Sequence, residues 1–352
     1  MKRCFGVFSL IAMLLFASYP VAAQANASIQ AQIEPNLSVD AQVTMPELAN
    51  GQAQAIRVER LMPDADALLR LLSPGASIVA RDEHQYGTVL SLQDEASLYT
   101  SESLSNFETK RGGTIKQIYL LEPMLNEEAL QLPDLAFASR EEAIATVEEI
   151  LSALGAEGAR CVAAYALPQA HLNQYSDQMR GRGQNAKDIK AGRIAVKEHW
   201  EQADECYLLR FEWAYSSIPV FAKLRESISQ SEIGNYFRGS SLTVLISADG
   251  IELFQGEDML REIAREEGQA LLSADQVVGL IQDRYRNLIV DVPTTVREIA
   301  LMYVIRRAPN QEDALTLIPA WCCQVVEQYG GDQPYEDQEW IAFDARSGEQ
   351  LF

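Results

Sequence analysis

Residues Ser139–Gly155 read SREEAIATVEEILSALG, and this run decides the architecture. Ser139-Arg140-Glu141-Glu142 has capping-box spacing: the Ser139 hydroxyl is expected to accept the amide proton of Glu142, whose carboxylate reaches back to the Ser139 amide. Ala143, Val147, Ile150, Leu151 and Leu154 recur at helical spacing and define one apolar face. Gly155 supplies the left-handed stop. A helix with one apolar stripe needs a sheet to cover it, and the next strongly patterned run is Glu205–Tyr215, ECYLLRFEWAY. Ile218-Pro219-Val220-Phe221, Ser241–Ser247 and, after an Ala248-Asp249-Gly250 turn, Ile251–Phe254 follow as further strand signals.

The same order recurs downstream. Leu272-Ser273-Ala274-Asp275-Gln276 starts a second capped helix carrying Val277, Val278, Leu280, Ile281 and Tyr285. Val296–Arg306 alternates as a long strand, Leu317-Ile318-Pro319-Ala320-Trp321 leads into Cys322–Val326, and Glu339–Phe343 ends in Asp344-Ala345-Arg346-Ser347-Gly348. The expected fold class is therefore α+β, helix packed on antiparallel sheet, with two tandem modules at 139–256 and 270–352. Upstream, residues 51–135 read as a mixed segment. It holds a strand at Ala55–Leu61, a short helix from Pro63 to Leu72, strands at Tyr86–Leu92, Ala96–Thr100 and Ile115–Leu121, and a turn at Lys110-Arg111-Gly112-Gly113. Residues 26–50, rich in Ala, Gln, Asn and Ser, read as a flexible arm with one strand near Leu37–Val43.

The first 25 residues have the three parts of a secretory signal. Lys2-Arg3 is the basic head, Phe5–Ala17 the apolar centre, and Val21-Ala22-Ala23 or Ala23-Gln24-Ala25 the small-x-small end. The apolar run is shorter than the roughly 20 residues that span hydrocarbon, so a cleaved signal and no retained span are expected. The 352 residues carry 29 Lys plus Arg against 50 Asp plus Glu, a net charge of −21. Removing residues 1–25 takes away Lys2 and Arg3 and leaves 27 against 50, a net of −23. Such acidity argues against nucleic acid as a partner and against adhesion to anionic lipid. An extracytoplasmic or secreted protein is expected. Export permits disulfides, and Cys161–Cys206 is the long-loop candidate, four simple thiols being the alternative. Cys322 and Cys323 should point to opposite faces of their strand, one buried and one half-exposed.

The C-terminal runs Leu317-Ile318-Pro319-Ala320-Trp321 and Phe343-Asp344-Ala345-Arg346-Ser347-Gly348-Glu349 resemble the end of PepSY-like modules and of the related YycH/YycI-type ectodomains. Those finish on a Pro-Ala-Trp strand and a strand reading like I-D-A-x-T-G-E. The whole chain is similar to DUF6034-like exported proteins of Gram-positive, clostridia-type bacteria. The resemblance implies a non-enzymatic envelope protein with a binding, regulatory or inhibitor-like role, and it supplies no catalytic residues.

Chemistry-bearing motifs are sparse. His84, His171 and His199 are the only histidines. A zinc set of His171, His199, Cys161 and Cys206 matches no compact ligand spacing, so no metal and no cofactor are expected. The chain has no G-x-S-x-G and no phosphate loop. The acidic loop Asp332, Glu336, Asp337 and Glu339 lacks the calcium-loop pattern. One feature opposes the global charge: Arg180, Arg182, Lys187, Lys190, Arg193 and Lys197 form a basic stretch with three glycines, expected as a mobile loop. It would contact an anionic envelope polymer or acidic partner, or simply offset the chain's own acids. Tyr207, Phe211, Trp213, Tyr215, Trp321 and Trp340 are expected to pack between sheet and helix, or to line a peptide groove there. The function expected from the sequence is an envelope protein that contacts another protein or peptide. The alternatives are a secreted hydrolase with an unfamiliar motif and a protease-inhibitor-like module. An exposed sheet edge would favour the binding reading, and a cleft with converging His, Ser or carboxylates the hydrolase.

Overall fold

A computed structural model describes residues 27–121, 127–181, 183–194, 196–222, 239–308, 311–331 and 334–352. The expected signal segment and Arg182 lie outside them. In chain order the strands of the first half are β1 (Ala27–Glu34), β2 (Leu37–Thr44), β3 (Gln52–Ala53), β4 (Ile56–Arg60), β5 (Ile78–His84), β6 (Gly87–Leu92), β7 (Ser97–Thr100), β8 (Leu104–Glu108) and β9 (Ala159–Leu167). Those of the second half are β10 (Cys206–Tyr215), β11 (Ile218–Pro219), β12 (Ser241–Ser247), β13 (Gly250–Glu257), β14 (Leu260–Arg265), β15 (Gln269–Ala270), β16 (Thr294–Ala308), β17 (Gln311–Tyr329) and β18 (Tyr335–Asp344). The described helices are α1 (Ala65–Leu72), α2 (Lys110–Leu121), α3 (Glu127–Gln131), α4 (Arg140–Leu154), α5 (Gln169–Gly181), α6 (Gly183–Lys190) and α7 (Ala274–Tyr285). The protein is α+β, as its sequence indicates.

Both capping boxes form. Ser139 accepts from the Glu142 amide at 3.2 Å while Glu142 accepts from the Ser139 amide at 2.8 Å. Ser273 and Gln276 repeat the exchange at 3.3 and 2.8 Å. Gly155 closes α4 in the left-handed region at φ 77°.

Two large sheets carry the fold. One runs β11-β10-β12-β13-β8-β7-β6-β5, with β9 on β10. The other runs β1-β2-β16-β17-β4-β14, with β18 on β17. Strands β9 to β13 make one end of the first sheet and β5 to β8 the other, whereas β16, β17 and β18 are joined in the second sheet by β1, β2 and β4 from the N-terminal part and by β14. The segment 26–50 is not a loose arm: β1 and β2 form a hairpin, and β2 pairs in parallel with β16. Leu37, Val39, Ala41 and Val43 on β2 are buried, which fixes that hairpin to the second sheet.

Strand β10 explains its own sequence. Tyr207, Leu209, Phe211, Trp213 and Tyr215 face a core shared by both sheets and by α1, α4 and α7, whereas Cys206 and Leu208 face a second cluster under α2, α3 and α5. The strand is covered on both faces at its start and on one face from Arg210 onward, so its apolar run gives way to alternation. The two sheets are stitched by Trp213, whose indole N–H donates to the Leu260 carbonyl at 3.0 Å.

Several local expectations are corrected. The run Leu317–Trp321 does not lead into a strand at Cys322: it lies, with Pro319, inside the 19-residue β17. Pro319 falls where one edge of β17 changes partner, from β4 up to Leu317 to β18 from Ala320, so its missing N–H breaks no ladder. Ile115–Leu121 is helical, part of α2, and Lys110–Gly113 is its first turn. The Thr109 hydroxyl accepts from the Gly112 amide at 3.0 Å as a cap. A Cβ on Gly112 would lie 2.0 Å from the Glu252 carbonyl oxygen, so the glycine serves close packing on β13 and not a turn. Cys322 and Cys323 do face opposite sides of β17, and both are buried. Cys322 lies under Phe221, Trp340 and Leu351, which cover the sheet's outer face.

Candidate functional site

The basic stretch folds as α5, α6 and the turn after them rather than as a mobile loop. Three of its charges are engaged by the chain's own acids. Arg180 binds Asp177 at 2.9 Å and the Lys197 carbonyl, Arg193 binds Asp188 at 2.5 Å, and Lys197 binds Asp204 at 2.5 Å beside the Trp200 ring. Asp188 is held below the usual carboxylate range, first by the Arg193 hydrogen bond. Lys187 and Lys190 sit on the exposed side of α6. Neighbouring acids account for the ion pairs of Arg180, Arg193 and Lys197.

Cys161 and Cys206 are free thiols. In the β9–β10 register Cys161 faces Phe211 and Cys206 faces Leu167, which separates the two by about 17 Å along the strands, far beyond disulfide reach. That pairing is corrected. Burial pushes the Cys161 thiol up to about 11 and raises Cys206 further. His171 packs on Tyr175 at 4.7 Å, His199 is exposed, and His84 ends β5. Among the described residues no group of three or more His, Cys, Asp and Glu is placed to hold a metal ion. Five of the aromatic residues expected at a helix–sheet groove, Trp213 and Trp321 among them, are buried in the shared core, whereas Trp340 is corrected to the outer face of the second sheet, packed on Phe221. Asp332 lies outside the described residues; Glu336 pairs with Arg297 at 2.6 Å.

The longest strand exposed at every residue, among those described, has no counterpart among the sequence expectations. Strand β5 ends the nine-stranded sheet, and all seven of its residues are exposed. It is held on its inner side by β6, with Arg81 opposite Leu90, Asp82 opposite Val89 and Glu83 opposite Thr88. Val79 is the extra residue where the register shifts between Ile78 and Ala80. The β5–β6 hairpin needs Gly87, because a Cβ there would lie 2.1 Å from the Thr100 carbonyl oxygen on β7. Arg81 lies on the face of buried Leu90 and reaches α1, where both Asp66 carboxylate oxygens accept from it at 2.9 and 3.0 Å. Its Nε–H donates to Glu83 at 2.6 Å. These two carboxylates raise the Arg81 pKa, Glu83 first.

An open concavity of about 1030 Å³ lies beside the β5–β6 turn, lined by Met62, Glu83, His84, Tyr86, Tyr99 and Glu102 among others, and by no Lys or Arg. His84 stacks on Tyr99 at 6.4 Å, and the Tyr99 hydroxyl donates to the Tyr86 carbonyl at 3.3 Å. Met62, Val79 and Tyr86 are 61%, 62% and 71% exposed. Among the described residues no strand pairs with the outer edge of β5. Such an edge with protruding apolar residues is a template for another strand, and Asp82 and Glu83 are charges of the kind that keep it from sticking indiscriminately.

No family model matches the chain, and no curated protein matches it. Its fold is similar to the crystal structure of an uncharacterized protein from Eubacterium rectale ATCC 33656, with a TM-score of 0.58 at 12% identity over 94% of this chain and 96% of that one. The likeness extends across both sheets and establishes the fold. Among the described residues no helix is long and apolar enough to cross a membrane.

Proposed function

We propose that this chain is an exported, non-enzymatic binding or regulatory protein of the cell envelope that contacts another protein or peptide through the edge of its nine-stranded sheet. The observation that carries the reading is β5, exposed along its whole length at the end of the sheet. Main-chain pairing along such an edge gives affinity, and side-chain sites beside it give specificity. The open concavity at the Tyr86 end is such a site. The signal-like residues 1–25 and the PepSY-like C-terminal runs support the envelope location. A photo-crosslinking amino acid placed at Val79, at Tyr86 and, as control, at exposed Glu149 on α4 tests this in the producing cells. Adducts from the first two positions alone are expected, on a chain recovered outside the cytoplasm without its first 23 or 25 residues. Equal adducts from all three, or a cytoplasmic chain with its leader attached, would overturn the reading.

A further inference from the structure

We infer that the β5 edge takes up an extended polypeptide segment, apolar at the end lying along Ile78–Val79 and carrying Arg or Lys at the end lying over Tyr86. This deepens the proposed function and rests on it.

The argument for a basic segment is charge and shape together. Around the edge stand Asp66, Asp82, Glu83 and Glu102, with Arg81 already engaged by two of them. The concavity offers Glu83 and Glu102 beside the rings of Tyr86 and Tyr99, and an exposed thioether at Met62. A guanidinium or ammonium group finds there a carboxylate partner and an aromatic face, and its aliphatic stem finds apolar surface. The whole chain, at −21, draws a basic segment in over a longer range. At the opposite end of the strand the exposed side chains are Ile78 and Val79, which favour an apolar neighbour. Seven residues span about 24 Å, which sets the length of the segment.

A second copy of this chain fits less well. Two chains of −21 repel. The antiparallel register that sets Arg81 against Glu83 of the copy also sets Asp82 against its own counterpart, and like charges directly opposite are destabilising.

The test is selection of a displayed library of random ten-residue peptides on the purified full chain, followed by amide hydrogen exchange with the enriched peptides. Expected are peptides with a surplus of Arg and Lys that slow exchange at residues 78–84. Their affinity should fall at least tenfold in the Glu83→Gln/Glu102→Gln double variant, whose melting should match the parent. Enriched peptides that slow exchange at 78–84 but are neutral or acidic, or are indifferent to the double variant, would overturn the basic-segment inference and leave the edge reading standing. If no peptide is enriched, or none slows exchange at 78–84, both fall.

Discussion

Arg81 on β5 grips Asp66 on α1 through both carboxylate oxygens, at 2.9 and 3.0 Å, and so ties the exposed end of the nine-stranded sheet to a helix packed in the core. Both partners are more than a third exposed, so the pair positions the strand and adds little to global stability.

Asp66→Asn should therefore loosen β5 without unfolding the protein. Trypsin cleavage after Arg81 is expected to accelerate while the melting temperature stays where it was. An unchanged cleavage rate would show that β6 alone holds the strand.

Asp344 organises the C-terminal turn that carries the sequence resemblance. Its carboxylate accepts from the Arg346 amide at 2.8 Å, from the Arg346 side chain at 3.0 and 3.2 Å, and from the Ser347 amide at 3.3 Å. Burial pushes this carboxyl up, but the Arg346 and backbone hydrogen bonds outweigh it and hold it below the usual range. A lowered carboxylate stabilises the fold above its unfolded value, near 3.9, and loses that contribution as pH falls toward its folded value. Asp344→Asn should cost about 1–3 kcal/mol at neutral pH. It should also flatten the loss of stability below about pH 4 relative to the parent. Denaturation followed from pH 7 down to 3 measures both, and parallel curves would contradict the assignment.

Trp213 joins the two sheets through its bond to Leu260. Trp213→Phe removes that bond and leaves a small cavity, a loss of about 1–3 kcal/mol. The shift is expected in one transition seen alike by circular dichroism and fluorescence, because one core runs through both sheets. Two separated transitions would show instead that the sheets unfold as independent units.

Non-reducing peptide mapping should yield no Cys161–Cys206 bridge. Alkylation of the native chain at pH 7 should be slow, since burial holds the Cys161 thiol near 11 and Cys206 and Cys323 higher. Fast modification of Cys206 or Cys323 in the native state would contradict their burial, and fast modification of half-buried Cys161 would contradict its raised pKa.

The parts of the fold that were legible in the sequence are local. Ser139 and Ser273 announce their helices because a capping box is complete within four residues. The pairing of β2 with β16 joins Leu37 to Thr294, a partnership that no local pattern contains. Gly112-Gly113 resembled a turn because sequence cannot distinguish glycine needed for bending from glycine needed for contact with Glu252. The candidate site is hidden in the sequence for a related reason. Ala80-Arg81-Asp82-Glu83-His84 has no apolar alternation, because an exposed edge strand buries neither face. The available signal was Ile78-Val79 before it and Gln85-Tyr86-Gly87 after it, a turn-sized gap before the Thr88–Leu92 run.

Residue-resolved amide exchange along β5 in the free protein tests the open edge most directly. Alternate amides of a strand point to opposite neighbours, so those of residues 78–84 facing β6 should be protected and those between them should exchange nearly as fast as unstructured chain. Uniform protection across all seven would mean that another part of the chain already pairs with this edge, and the binding role assigned to it would fall.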